Sequence, residues 1–143
     1  MLDFLRVKTV PTVSWSSPRP LNFFPALRTF VLLCIGLVLF GVGEALLINA
    51  GVGVSPWTVF SQGVANTSGL GIGMSTFFIG VGVLVLWIPL RQTPGLGTLL
   101  NIIIIAAVME LSLPYLPQMA GTVSGIIQTM LGVFIVGLGS GLY

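Results

Sequence analysis

The chain has 143 residues, 55% of them hydrophobic and only 6% charged, whereas a soluble domain carries about 25% charged residues. So few charges cannot cover a globule of this size in water, and a water-soluble fold is excluded. The net charge of +2 comes from five scattered basic residues with no nucleic-acid-binding stripe, and with no His and a single Cys34 in an apolar run the chain offers neither a disulfide framework nor a Cys/His metal site.

Residues 1–28 read as a cytoplasmic tail. Pro11, Pro18, Pro20 and Pro25 and the run Ser14-Trp15-Ser16-Ser17 leave it without a helical or strand period, so it is expected to be poorly ordered or to lie on the membrane surface. The first predicted span follows, Phe30 to Ala50. At 1.5 Å per residue it is roughly 31 Å long, the thickness of a hydrocarbon core. Next, Ser55 before Pro56 has the chemistry of a helix start: a side-chain acceptor, then a residue with no N–H to leave unpaired. Trp57, Phe60 and Val64 share one face of a helix over 55–68, which is too short and too polar to span and reads as an interfacial or re-entrant half-helix on the outer side. Its exposed N–H groups would favour an anionic substrate group; the competing reading is an ordinary connecting loop.

The second span is predicted over Gly71 to Leu90, closed by Pro89, Arg91 and Pro94. The third runs from Leu96 to Leu113 and stops at Pro114 and Pro117, which cannot continue a helix. The fourth, Thr122 to Tyr143, carries no charge. The fold class is therefore all-α: a polytopic helical membrane protein with four transmembrane helices plus a short outer half-helix. Arg6, Lys8, Arg19 and Arg28 precede the first span and Arg91 lies between the second and third, so a cytoplasmic N-terminus puts all five basics on one side. Trp57, Trp87 and Tyr115 fall near span ends, where aromatic rings prefer the headgroup layer.

The fourth span also matches the first without gaps. At an offset of 96 residues Gly36, Gly41, Gly43 and Leu46 recur as Gly132, Gly137, Gly139 and Leu142. Two readings stand: chance agreement between glycine-rich helices, or a duplication in which 30–113 is a first unit and 122–143 the start of a second. A unit with an odd number of spans inverts its copy, the arrangement common in secondary transporters. On that reading the chain is a fragment or the product of a truncated gene.

The segments GVGEALLINAGVGVSPWTVFSQGV (41–64), GIGMSTFFIGVGVLVLWIPL (71–90) and PGLGTLLNIIIIAAVMEL (94–111) resemble the YczE/YyaS/YitT-like family of bacterial membrane proteins. The resemblance covers roughly residues 28–143 and is most distinctive at AGVGVSPW and PGLGTLLN. It implies a multi-pass protein of the bacterial inner membrane whose family members continue into a second glycine-rich half. It implies no particular activity.

Glu44 and Glu110 are the acids inside the predicted spans, both in the outward third. A charge at mid-membrane costs ~3 kcal/mol on insertion scales, so such groups usually face protein or water. No Lys or Arg lies within a predicted span to pair with them. They are the candidate relay or substrate site for a proton or cation; the competing reading is that they reach headgroup water near a helix end. Small neighbours, Gly41 and Ala45 beside Glu44 and Ala106 and Ala107 beside Glu110, would let the two acids approach. Thr98, Asn101 and Ser55 are the candidate polar lining, with Thr98 also a candidate cap for the third helix and Asn101 a candidate interhelical hydrogen-bonding group. Gly137 and Gly141 form a small-xxx-small pair suited to close helix packing.

The leading functional expectation is permease-like transport of a small solute. The alternative is a non-transporting scaffold or accessory protein, acting as a homo-oligomer or against a partner membrane protein. Without His, a Cys nucleophile in polar surroundings or acids at fixed spacing, enzymatic chemistry has few candidates, and no cofactor or metal is expected.

Overall fold

A computed structural model describes residues 23–117 and 121–142; the predicted tail, apart from its last residues, lies outside them. The described residues form five α-helices: α1 (Leu27–Ala50), α2 (Pro56–Ser68), α3 (Ile72–Trp87), α4 (Leu96–Ser112) and α5 (Thr122–Leu142), with a 3-10 turn at Leu113–Tyr115 after α4. The all-α membrane architecture is as the sequence predicts. Three helices are long and apolar enough to cross a bilayer, and the pair α2–α3 supplies a fourth crossing when it is counted as one broken span.

That broken span is where boundaries depart from expectation. The second span, predicted over 71–90, is only 16 residues of helix, roughly 24 Å at 1.5 Å per residue. The run Ile88–Leu90 turns out of the helix axis ahead of Pro94. α2 precedes α3, bent by 110° from it, so the pair forms a broken span or a re-entrant element. The first span gains three residues at its start and takes Arg28 into its first turn. Gly51 ends it with φ 66°, a left-handed conformation that glycine adopts without a Cβ clash.

α2 begins as predicted, with Ser55 as N-cap accepting from the Thr58 N–H at 3.3 Å. Its faces are inverted relative to a soluble helix. Thr58, Ser61 and Ala65 are buried, while Trp57, Val59 and Phe60 are exposed. In lipid the apolar side can face outward and the small hydroxylated side inward, where its groups find partners.

Helix directions follow from which residues meet. Gly97 lies against Leu33, and Gly41 against Ile105 and Val108, so α1 and α4 run parallel. Gly73 meets Ala106 and Gly80 meets Ile102, so α3 and α4 are antiparallel. Gly43 meets Gly132 and Val136, and Gly139 meets Gly36 and Phe40, so α1 and α5 are antiparallel. These are the relative directions that alternating crossings require.

The core sits where α1 and α4 face each other: Leu37, Ile105 and Met109, with Leu33, Phe40, Ile48, Ile72, Leu100 and Ile104 around them. α1 and α5 are joined by a seam of small residues at seven-residue spacing. Gly36, Gly43 and Ala50 oppose Gly139, Gly132 and Gly125, and a Cβ on Gly43 or Gly139 would come within 3 Å of the opposite backbone. Such close backbone approach is what drives helix association in lipid, where apolar burial adds no net force between helices. The expected pair Gly137 and Gly141 is not part of it: neither has an atom within 4 Å of its missing Cβ. Five residues after Gly132, Gly137 is turned roughly 140° away from the seam. Finally, Asn49 donates from its amide to the carbonyls of Leu116 (3.0 Å) and Pro117 (2.7 Å), tying the end of α1 to the chain ahead of α5.

Candidate functional site

Glu44 is only 4% exposed. The turn Gly51–Ser55 folds the start of α2 back onto the last turns of α1, so that two hydroxyls meet its carboxylate. Thr58 donates to Glu44 Oε2 at 2.6 Å, and Ser55 donates to the same oxygen at 3.4 Å. The two hydroxyls also share a hydrogen bond of 2.9 Å. The first turn of α2 holds no acidic residue of its own. Glu44 thus places its carboxyl group beside the start of α2, where the helix dipole favours an acid, and the protein's own acid occupies the position at which an anionic group was expected.

Glu110 stands in a parallel situation. Its Oε2 accepts from the Met74 N–H at 3.2 Å, the third residue of α3, a helix that likewise has no acid in its first turn and no side-chain cap. The approach requires glycine below it, because a Cβ on Gly73 would come within 2.7 Å of Glu110 Cβ and one on Gly71 would collide with the carboxylate. The parallel register of α1 and α4 sets the two acids at similar depth, as the sequence suggested. It does not bring them into one pocket. Glu44 borders the cavity enclosed by α1, α2, α3 and α4, and Glu110 borders a separate groove between α3 and α4.

The cavity beside Glu44 has a volume of about 280 Å³. Its polar wall is Glu44, Ser55, Thr58, Thr76 and Asn101, with Trp57 at one side and Phe40, Ile105 and Met109 as the apolar floor. Glu44 and Ser55 lie toward the α2 end of the helices and Asn101 toward the α4 start, so the space follows the bundle axis. Of the residues chosen from sequence, Glu44, Ser55 and Asn101 meet here. Thr98 does not line the cavity, and α4 starts at Gly95 with no side-chain cap, so Thr98 does not cap it either. Thr58 and Thr76 were not anticipated. Spacing three residues after a Ser-Pro helix start was the available signal for Thr58; nothing distinguishes Thr76 from other span hydroxyls before the α2–α3 bend is known.

Residues 27–143 match the model of a family of unknown function (DUF6198). The chain belongs to this family. It is also 32% identical over 112 residues to the uncharacterized membrane protein YczE of Bacillus subtilis, covering 76% of this chain and 51% of the relative. An uncharacterized protein of Haemophilus influenzae is 35% identical over 138 residues, 96% of this chain and 62% of the relative. The chain is thus a YczE-like integral membrane protein, and it spans between half and two-thirds of the length of these curated relatives. No solved structure matches it.

Proposed function

We propose that this YczE-like chain carries the solute-binding half of a permease-like protein, with Glu44 as the working carboxylate. One observation supports this above the others: a buried acid, the start of a broken helix and the Asn101 amide line the same cavity. Discontinuous helices whose ends meet near the substrate are the recurring device of secondary transporters. Glu110 is a helix cap in this reading and has no part in the relay.

The α1–α5 seam favours the inverted-repeat reading. Gly43 meets Gly132 and Val136, while Gly139 meets Gly36 and Phe40. Shifted by 96 residues, the first set becomes the second, so each helix presents corresponding residues to the other across a local two-fold relation. On the same relation Gly41, pressed by Val108 of α4, corresponds to Gly137, which faces open space. In the longer relatives an α4-like helix would cover the corresponding position. The second reading, a non-transporting protein that packs against a partner, draws on this same uncovered face. We place the chain in the bacterial inner membrane with a cytoplasmic N-terminus, from the basic residues; a Gln62→Cys thiol in a Cys34→Ser background should then react with an impermeant reagent added outside.

The test is proton-coupled uptake in proteoliposomes loaded with a pH-sensitive dye, across a panel of small amines, amino acids and carboxylates. Wild-type vesicles should show solute-dependent proton movement, Glu44→Gln should lose it and Glu110→Gln should keep it. Vesicles no faster than protein-free ones for every solute would favour the scaffold reading.

A further inference from the structure

We propose that the cavity beside Glu44 selects small protonated amines, an inference that rests on reading this cavity as a solute site. The argument is an inventory of hydrogens. A hydroxyl offers one proton and two lone pairs. Thr58 spends its proton on Glu44 Oε2. Ser55 spends its own on Glu44 or on Thr58. Thr76 donates to the Ile72 carbonyl at 2.8 Å. The Thr58 N–H, which could have met an anion at the helix start, is given to Ser55 Oγ.

What remains for a solute is mainly acceptors: hydroxyl lone pairs and a carboxylate whose Oε1 takes no donor from Ser55 or Thr58. Trp57 adds a ring at the wall, and aromatic faces attract ammonium groups. The donors left are the Asn101 amide, the indole N–H and the Trp57 main-chain N–H at the helix start. No Lys or Arg lines the cavity. Arg28, the basic residue of α1, lies 16 residues from Glu44 along the same helix, roughly 24 Å away. An anion entering here would meet lone pairs and an acid side chain with no basic residue to offset them, in a medium of low dielectric where unpaired charge is costly. A monocation with N–H donors meets its complement. At about 280 Å³ the space falls below the usual range for drug-sized ligands, so the solute is small.

The experiment uses the full chain in detergent or nanodiscs and three probes of one size: propylammonium chloride, sodium propionate and 1-propanol at constant ionic strength. Melting temperature against concentration reports binding, and tryptophan fluorescence, assigned with Trp57→Phe, locates it. Propylammonium should bind saturably and at least tenfold more tightly than the other two, and Glu44→Gln should weaken it at least tenfold. Should Glu44→Gln fail to fold, Trp57→Leu should weaken propylammonium more than 1-propanol, and equal weakening of the two would overturn the ammonium site. Binding of propionate as tight as that of propylammonium would overturn the ligand class while leaving the solute cavity standing. Silence from all three probes with folded protein would sink both.

Discussion

Glu110 is exposed on α4, yet its carboxylate is committed to an N–H at the start of α3. A carboxylate at a helix N-terminus contributes about 1 kcal/mol through the hydrogen bond and the helix dipole together. Glu110→Ala should therefore lower the melting temperature by a few degrees and leave propylammonium binding unchanged, whereas Glu44→Gln should weaken that binding. Gln128 makes a different prediction. Its amide is 4% exposed and neither side-chain polar atom has a partner among the described residues. An unpaired buried amide costs roughly 1–3 kcal/mol, so Gln128→Leu should raise thermal stability. Both glutamates were legible in the sequence because acids are rare in lipid-facing segments. Their separate duties were not, because each depends on a helix start brought from elsewhere in the chain: Ser55–Thr58 for one, Gly71–Met74 for the other.

Among the elements, α1 and α5 carry the tightest packing. Their seam has no room for a side chain at Gly43, where a Cβ would come within 2.6 Å of Val136. Gly43→Leu should destabilise the protein by about 1–3 kcal/mol or prevent assembly, as overpacking does, read by melting in detergent. Gly137→Leu, over open space, should stay within about 0.5 kcal/mol. The sequence singled out the glycines and the 96-residue match, but it pointed to Gly137–Gly141 as the packing pair. Two glycines four apart share a helix face without saying which neighbour that face meets; the heptad set Gly125, Gly132 and Gly139 was the better signal because Gly36 and Gly43 repeat it. The half-helix α2 was readable from Ser55-Pro56 alone. Its burial was not: Val59 and Phe60 mark the lipid side, and the hydroxyl face supplies Thr58 to the cavity.

Across the whole molecule, two parallel helices, an antiparallel return through α3 and an antiparallel closing helix give a bundle with one discontinuous crossing. The four spans were legible because hydropathy and length dominate in a bilayer; the cavity was not, since it exists only because α2 and α3 bend by 110° and leave Thr58, Thr76 and Asn101 facing one space. The central claim is that this space admits solute between the helices. Asn101→Cys in a Cys34→Ser background, reconstituted in vesicles, tests it most directly. A small impermeant thiol reagent should modify the cysteine from either face of the membrane, and propylammonium should slow the reaction from both. A thiol that reacts from one face only under every condition, or from neither, would contradict the account.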